Sequence, residues 1–496
     1  MPLTEEIYFD VAVVGAGNAA LCAALAAEEA GASVVVLEKA PRSAQGGNCP
    51  FTGGGFRFTH DGLGDLQDNL LPPGADVGRA TMDAYTAEDF RRHFQEATHG
   101  DTSDDLVEVV IAQSRPTVDW MHSRGVEWEL YVNPNLENAP SVIPNQVGLA
   151  AHGSGPGLVA MLTKSAERAG VQVLYETKMV ELTMGDLGEI TGLIAQDGEG
   201  RHHIRAKAVV LACGGFEANP EMRVKYLGAH WEKAKVRGSR YNTGDGHRAA
   251  LSAGAAATGQ WTGCHGTPID MDAPPTGDLP ITDAMPRRSY PLGIMVNVDG
   301  RRFTDEGASF AEQTFVRTGE AVLAQERSMA FQIFDARASG MLEPRYGGST
   351  PAQSDTIEGL ADAIGVNSGV LRATVDGYNA EAHEGDYAPR MLDGRSTRTL
   401  TPAKTNWAIK IDRAPFVAYK VTGGITYTYG GVKIDADARV LDMEDRPIAG
   451  LYAAGEIVGG IFYHGSLRAA GLMHGSVFGR LGGAHAAGSP ERPATP

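Results

Sequence analysis

The feature that most constrains the fold of this chain is a glycine-rich turn between a strand and a helix near the N-terminus. A β-branched run, Tyr8–Val14, precedes the turn Gly15–Ala20, and an Ala-rich helical pattern follows to about Ala30. A second apolar run, Ser33–Leu37, ends in Glu38. This order predicts a β-α-β unit of about 30 residues, the size of a dinucleotide-binding element.

The residues of the turn have distinct physical tasks. Gly15 permits the tight turn, Gly17 lets the backbone approach a pyrophosphate, and Ala20 allows close packing of the helix on the strand. Glu38 can accept hydrogen bonds from both hydroxyls of a ribose. Their neighbours expected at the same site are Asn18, Ala19 and Lys39. The fingerprint serves NAD as well as FAD, so the choice of cofactor depends on motifs elsewhere in the chain.

Length and charge narrow the class of protein. The 496 residues are too many for one ordinary core, so we expect two domains. The 61 acidic and 43 basic side chains give a net charge of -18, which repels nucleic acid and anionic membrane surfaces. No stretch approaches the ~18 apolar residues of a membrane span. The N-terminus also lacks the basic region and cleavage site of a signal peptide.

Cysteine usage completes this picture of the chain. The four cysteines lie far apart and form no C-x-x-C spacing, so neither a disulfide scaffold nor a metal site is predicted. We therefore expect a soluble, cytoplasmic protein with no nucleic-acid partner and no membrane insertion.

The character of the sequence changes twice along the chain. Helical patterns over 81–125 and 157–169 and strand patterns over 172–175, 180–184, 190–196 and 208–212 fill the first part. The next part consists of loops rich in Pro and Asp, short strands and amphipathic helices. The apolar, glycine-rich pattern of the first part resumes at Gly430. The expected fold is α/β, with a Rossmann-type domain split into 1–259 and 428–496 and an inserted α+β domain at 260–427. The tail, 488–496, is expected to be disordered.

Later motifs favour a flavin. The strand patterns Val209–Gly215 and Gly450–Glu456 end in small residues, and Gly46–Asn48 with Thr52–Gly54 fits a loop under a flavin ring. In these motifs the chain resembles the fumarate reductase and succinate dehydrogenase flavoprotein superfamily over nearly its whole length. The resemblance implies that the cofactor is FAD. In addition to the N-terminal turn, it implies that the following residues bind FAD: Gly46, Gly47, Asn48, Thr52, Gly53, Gly54, Val180, Ala212, Cys213, Gly214, Gly455, Glu456, Gly471 and Leu472.

The same resemblance bears on how the flavin is held and on what it acts on. Members with covalent flavin carry a histidine just ahead of the glycine pair, where this chain has Ala44-Gln45, so we expect non-covalent FAD. The inserted domain is expected to be a substrate clamp. His265 corresponds to a histidine that binds a substrate carboxylate, and Arg468, in an H-G-x-x-R segment, to an arginine that does the same beside the flavin. Arginine offers a carboxylate a bidentate fork.

Two departures from the superfamily pattern modify the expected chemistry. Phe310 stands where fumarate reductases have the arginine that delivers the proton, and Tyr427 replaces an active-site histidine. The blocks Ser289–Asn297 and Asp305–Ala308 resemble most closely the tricarballylate dehydrogenase branch. The expected reaction is hydride transfer between flavin N5 and a CH–CH bond of a small, tricarballylate-like polycarboxylate.

Removal of a proton beside a carboxylate requires a positioned base. Tyr427 is the first candidate, because nearby cations would stabilise its phenolate. Arg288 is the second, since the pair Arg287-Arg288 precedes the shared Ser289–Asn297 block. Either side chain can instead bind substrate. Arg301 and Arg302 follow a turn at Asp299-Gly300 and are expected to be structural.

Two alternatives remain open on the sequence alone. A 3-ketosteroid Δ1-dehydrogenase-like desaturase would favour tyrosines and an apolar cleft, and Tyr427, Tyr429 and Tyr463 keep that possibility open. A non-catalytic flavoprotein would serve only as an electron-transfer subunit. No iron–sulfur or haem spacing such as C-x-x-C-H occurs, so a separate acceptor, a protein or a quinone, is expected to take the electrons.

Overall fold

The computed structural model describes residues 6–75, 77, 81–131 and 147–488. Most of the tail predicted to be disordered, 489–496, lies outside the described residues. In the part of the chain that is described, no helix combines the length and the apolar character needed to cross a membrane.

The N-terminal β-α-β unit forms as predicted. Strand β1 is Glu6–Val14, helix α1 is Asn18–Glu29 and strand β2 is Val34–Leu37. The two strands pair in parallel, with Val14 opposite Leu37. All four residues of β2 are buried, which is why the strand appears in the sequence as a continuous apolar run rather than an alternating pattern.

The unit belongs to an eight-stranded sheet whose main path runs β18-β19-β9-β1-β2-β6. Strands β1, β2, β6, β9 and β19 pair in parallel along this path, and β7 and β8 add an antiparallel extension beside β9. The additional strands are β6 (Gln172–Leu174), β7 (Lys178–Met184), β8 (Ile190–Gln196), β9 (Arg201–Leu211), β18 (Arg439–Leu441) and β19 (Pro447–Ala453). The C-terminal segment therefore completes the sheet that the N-terminal segment begins.

The second large sheet is built around one long strand. Strand β16 (Phe416–Thr428) pairs in parallel with β10 and antiparallel with β12, β14 and β15, while β13 pairs with β14. These partners are β10 (Lys235–Val236), β12 (Cys264–Asp270), β13 (Ile294–Val296), β14 (Ala330–Phe334) and β15 (Ala352–Ser354). The predicted domain boundaries, 259/260 and 427/428, stay a prediction. The first boundary assigns β10 to the FAD-binding domain, although β10 pairs with β16 in the second large sheet.

Small sheets and helices complete the described chain. Strands β3 (Gly55–Phe56), β4 (Trp128–Leu130) and β5 (Leu149–Ala151) form one small sheet, and β11 (Ala257–Thr258) pairs with β17 (Gly431–Val432). The further helices are α2 (Leu63–Asn69), α3 (Ala87–Thr98), α4 (Asp104–Ser123), α5 (Ser154–Arg168), α6 (Pro220–Leu227), α7 (Asp245–Ser252), α8 (Ala311–Leu323), α9 (Ile357–Ile364), α10 (Ser368–Glu381) and α11 (Ala470–Ala487).

The helical stretch predicted over 81–125 consists of two helices, α3 and α4. The first begins at a capping box, in which the Thr86 hydroxyl accepts from the Asp89 amide and the Asp89 carboxylate accepts from the Thr86 amide. Such a box satisfies backbone donors that a helix start otherwise leaves unpaired. The first helix ends at His99, which adopts a left-handed conformation.

Helix α11 packs unusually closely on α1, because glycines at four-residue spacing face that helix. A Cβ on Gly479 would lie 2.3 Å from the carbonyl oxygen of Ala19, and one on Gly483 would lie 2.1 Å from that of Ala23. Residues four apart lie on one face of a helix, so this face of α11 brings its backbone directly against α1. The Asn18 amide adds bonds to the Leu472 carbonyl, at 2.9 Å, and to the Ser476 hydroxyl, at 2.8 Å.

We predict that Gly479→Ala lowers the free energy of unfolding by about 1–3 kcal/mol, because the added methyl overpacks a close helix contact. Gly377→Ala is the matched control: Gly377 lies within α10, and a Cβ there would meet no atom within 4 Å. The control should be neutral or stabilising by up to about 1 kcal/mol, since alanine favours helix. Thermal unfolding of both variants measures the difference, and equal effects would contradict the proposed packing.

Candidate active site

A single large cavity of about 1460 Å³ collects nearly all the predicted site residues. It runs from the N-terminus of α1 to side chains of β12, β16 and α8. All but three of the predicted residues line it: Gly15, Gly17, Asn18, Ala19, Glu38, Lys39, Gly46, Gly47, Asn48, Thr52, Gly53, Ala212, Cys213, Gly214, His265, Arg288, Tyr427, Gly455, Glu456, Arg468, Gly471 and Leu472.

Three predicted cofactor residues do not line the cavity. Ala20 is fully buried within α1, in keeping with the packing task predicted for it. Gly54 lies against Ser154, whose backbone a Cβ would approach to 2.7 Å. Val180 does not line the cavity, because side chains alternate along a strand, and its contact with FAD stays a prediction. The buried Met179 lines the cavity in its place, together with Lys178.

The glycine turn is shaped by a close approach of two strand ends. Gly15 adopts φ +107°, and a Cβ there would lie 2.4 Å from the carbonyl oxygen of Ala212. A side chain would therefore be both strained and blocked. The Gly15 amide donates to the Leu37 carbonyl at 2.7 Å, which fixes the turn against β2. Gly17 caps α1 without a side chain of its own, and the Asn18 backbone amide in the first turn donates to the Cys49 thiol at 3.1 Å.

Glu38 is buried at the end of β2. Its carboxylate accepts from the Ala16 amide at 3.1 Å and from the Ala40 amide at 2.8 Å. Burial raises the pKa of this carboxyl although the backbone amides oppose the shift. The position is the one in which a carboxylate meets a ribose, and that role stays a prediction. Lys39 forms an ion pair with Asp245 at 2.7 Å.

Asn48 joins two buried carboxyl groups, of which sequence reasoning identified only one. Its amide donates to Glu217 at 2.7 Å and to Glu456 at 3.3 Å. Burial raises the pKa of both carboxyls, and the charge of Glu217 raises that of Glu456 further. Two carboxyls in contact cannot both ionise cheaply, so the pair retains a proton. Glu217 follows Gly214-Gly215 by two residues, but nothing in the sequence pairs it with Glu456.

Two predicted arginines converge on a carboxylate that was not predicted. Arg468 donates to Glu312 at 2.5 Å, and Arg288 lies 3.6 Å from the other oxygen of the same group. Burial alone would raise the pKa of Glu312, but the charges of Arg468 and Arg288 outweigh it and lower the pKa to about 2. The Arg288 guanidinium also lies 3.9 Å from the centre of the Phe315 ring. The two arginines are thus placed to bind a carboxylate, and in this structure that carboxylate is a side chain of the protein itself.

His265 and Tyr427 form an aromatic pair connected through Ser466. Their rings stack at 4.9 Å, and Nδ1 of His265 lies 2.9 Å from the Ser466 hydroxyl, which is also a hydrogen-bond partner of Tyr427. Burial holds the pKa of His265 well below its usual range, with the charge of Arg288 acting in the same direction. The imidazole is therefore neutral, and it would meet a substrate carboxylate as a hydrogen-bonding group rather than as a cation.

The environment of Tyr427 argues against the phenolate base expected from the sequence. Burial raises the pKa of the phenol and the charge of Glu456 adds to this shift, while the hydrogen bond with Ser466 opposes it. The charge that affects this group is an anion rather than the expected cation, so the phenol stays protonated. Its part in proton transfer remains a prediction.

The paired arginines at 287 and 288 have separate tasks. Arg287 is buried, contacts Asp270 at 2.6 Å and lies against the Tyr346 ring, whereas Arg288 lines the cavity. Arg302 forms a buried ion pair with Glu306 at 2.6 Å, in agreement with its expected structural role. Phe310, at the position of the missing arginine, also lines the cavity and packs near Trp407 at 5.7 Å.

The cavity fits the FAD that the sequence indicates. The start of α1 opens onto it and provides the positive end of a helix dipole, which favours a pyrophosphate. At Gly471 an added Cβ would meet no atom within 4 Å, which leaves open space beside the start of α11. Gln45, ahead of the glycine pair, is engaged with the Tyr175 hydroxyl at 2.7 Å.

We predict that acid precipitation releases the flavin, because no histidine occupies 44–45, where family members with covalent flavin attach it. Absorbance of the supernatant and of the redissolved pellet measures the partition. A pellet that stays yellow would contradict non-covalent binding.

We also predict that Gly17→Val abolishes FAD binding. A Cβ on Gly17 would already lie 3.2 Å from the Gly46 carbonyl oxygen, so a branched side chain must project into the space that the pyrophosphate requires. The measurement is the flavin-to-protein ratio of the purified variant, with Gly377→Ala as the control for a glycine far from the cavity. A full flavin complement in Gly17→Val would show that the turn does not hold the cofactor.

Comparison with known proteins agrees with this geometry. The FAD_binding_2 family, described as an FAD binding domain, matches residues 10–472. A probable fumarate reductase, Ifc3, of Shewanella frigidimarina is 30% identical over 96% of this chain and 74% of its own length.

Solved structures show the same fold. The open conformation of a flavocytochrome c3 fumarate reductase superposes with a TM-score of 0.74 and 27% identity, covering 97% of this chain and 78% of that one. A 3-ketosteroid Δ1-dehydrogenase from Sterolibacterium denitrificans gives a TM-score of 0.71 at 20% identity, over 97% of this chain and all of that chain, and shares the fold.

The mixed α/β fold and the FAD cofactor expected from the sequence are thereby confirmed. The chain belongs to the FAD-binding family of fumarate reductase and succinate dehydrogenase flavoproteins, and it is an FAD-dependent oxidoreductase acting on CH–CH groups.

Proposed function

We propose that this enzyme moves a hydride between FAD and a CH–CH bond of a small organic acid, whose carboxylate is held by Arg468 and Arg288. The observation that carries the proposal is the convergence of these two guanidinium groups on one carboxylate inside the cavity. They come from distant parts of the chain, one ahead of α11 and the other from the predicted clamp. A charged hydrogen bond to a carboxylate is about twice as strong as a neutral one.

The remaining side chains at this end of the cavity orient the acid and exclude water. Neutral His265, held by Ser466, supports carboxylate binding as a hydrogen-bond partner. Phe315, Tyr427 and Phe462 contribute aromatic surface to the same wall. When bound, FAD supplies the site that gives or takes the hydride.

Proton transfer is proposed for Tyr427, in its protonated form. When a double bond is reduced, a hydride adds to one carbon and the neighbouring carbon takes a proton, which the phenol of Tyr427 can donate. Burial keeps the proton on this phenol until a strongly basic carbon forms beside it. A protonated phenol can serve as the proton donor of the reducing direction, whereas oxidation would require its phenolate as the base. Arg288 is the second candidate, since burial lowers the pKa of its guanidinium.

The substrate and the electron partner remain finer proposals. Tricarballylate is one acid to test, because the blocks Ser289–Asn297 and Asp305–Ala308 resemble the dehydrogenases of that acid. The proposed electron partner is a separate protein or a quinone.

A ketosteroid-like desaturase is the second candidate. Tyr427 and Tyr429 lie 5.7 Å apart with Phe462 beside them, and such an aromatic wall suits a flat apolar substrate. In that case Arg468 would be incidental to the reaction.

We predict that Arg468→Met lowers kcat/KM for the acid about tenfold to more than a hundredfold, since a charge-assisted contact contributes about 1.5–3 kcal/mol. FAD content should change little. Arg372→Met, which removes a surface ion pair with Glu358, is the matched control and should keep full activity. Tyr427→Phe should slow the chemical step while leaving acid binding intact.

The measurement is anaerobic flavin reduction by saturated acids with one, two and three carboxylates and by a 3-ketosteroid, together with reoxidation of the reduced enzyme by the unsaturated acids. A wild-type enzyme that reacts only with the steroid would overturn the proposed substrate class. Unchanged turnover of the acid in Arg468→Met would remove Arg468 from the site.

A further inference from the structure

Glu312 occupies a position at which a substrate carboxylate would be expected. It lies in the first turn of α8, its side chain is 11% exposed, and each of its carboxylate oxygens faces a different arginine, Arg468 at 2.5 Å and Arg288 at 3.6 Å. The two arginine cations therefore interact with one anion, the Glu312 carboxylate of the same chain. The Arg288–Glu312–Arg468 triad retains one net positive charge.

Other arginines of the cavity are already engaged or lie at its rim. Arg345 pairs with the buried Glu343 at 3.2 Å, and Arg57 donates to the Tyr85 hydroxyl and to the Arg468 carbonyl. Arg237 also lines the cavity, and its charge acts on His265. Arg317 is exposed on α8. The Arg288–Glu312–Arg468 triad by itself therefore offers one net positive charge, which balances one substrate carboxylate.

An aromatic ring and a neutral imidazole lie directly beside the triad. Phe315 lies beneath the Arg288 guanidinium and 4.7 Å from His265, whose imidazole is neutral. Phe310 lines the same cavity. Burial of an unbalanced charge against such groups is unfavourable, whereas an apolar body would gain from the same burial.

We propose that the triad selects an acid with a single carboxylate attached to an apolar body, because Glu312 neutralises one of the two arginines that a dicarboxylate would need. The inference rests on the proposed function, in which these arginines hold the substrate. Glu312 is a specificity-determining residue in this scheme, and it takes no part in proton or hydride transfer.

The test compares pairs of ligands in which a second carboxylate replaces a methyl group or a hydrogen atom. Crotonate is paired with fumarate, and cyclohexanecarboxylate with trans-cyclohexane-1,4-dicarboxylate. Binding to the oxidised holoenzyme is followed through the perturbation of the flavin absorption spectrum, which requires no turnover. In each pair the monocarboxylate should bind the wild-type enzyme at least tenfold more tightly. Glu312→Gln should change the ratio of the two dissociation constants at least tenfold in favour of the dicarboxylate, since the variant has one more net positive charge at the triad.

Glu320→Gln provides the matched control. Glu320 lies on the same helix and lines the same cavity, but its side chain is 53% exposed, 3.6 Å from His230. The substitution changes the net charge equally and should leave the ratio unchanged. A similar shift in Glu320→Gln would mean that overall charge, rather than the triad, sets the preference, and it would overturn the inference.

The outcomes separate this inference from the proposed function. Wild-type enzyme that binds the dicarboxylates as tightly as the monocarboxylates would overturn the inference while leaving an acid substrate in place, and this comparison does not depend on the folding of any variant. An unchanged ratio in a flavin-replete Glu312→Gln would do the same. Binding of a 3-ketosteroid with none of the four acids would overturn both.

Discussion

The close contact between α1 and α11 is the constraint on which the cavity depends. Gly479 and Gly483 allow the backbones of the two helices to meet, and Asn18 bonds across the contact to Leu472, 454 residues away in the chain. Because α11 begins immediately after Arg468 and Ala469, the same contact places the arginine near the glycine turn. Packing of small residues between α1 and α11 thus determines the position of the charged Arg468 side chain. Overpacking at this contact would disturb both the glycine turn at the cofactor end of the cavity and Arg468 at the proposed acid-binding end.

Carboxyl groups in the cavity illustrate how surroundings assign different tasks to one chemical group. Glu38 accepts hydrogen bonds from two backbone amides, Glu217 and Glu456 retain a proton between them, and Glu312 is ionised between two arginines. Burial acts on all four in the same direction, so the differences arise from the neighbours alone. The ionised group, Glu312, is the one that competes with a substrate for cations, and it therefore bears most directly on specificity.

Much of the cofactor site could be predicted because its signals are local. The turn at Gly15 and Gly17, with Glu38 after β2, is specified by residues adjacent in sequence, since its geometry depends on backbone conformation and on strand and helix periodicity. The orientation of Val180 and its neighbours on β7 could not be predicted in this way. Which face of β7 points into the cavity depends on how the strand packs, and a shift of one residue reverses the face. The boundary near residue 260 likewise missed β10, because two residues give no periodic signal.

Short motifs and their order along the chain were enough to predict the β-α-β unit, the FAD family and the place of His265, Arg288, Tyr427 and Arg468 in the cavity. The groups that surround these residues depend on how distant elements pack together. Glu312 meets Arg468 across 156 positions of the chain, and the lowered pKa of His265 and the raised pKa of Tyr427 result from burial created by several elements at once. Electrostatic energy depends on distance in space and on exclusion of water, and neither quantity is encoded in the spacing of residues along the chain.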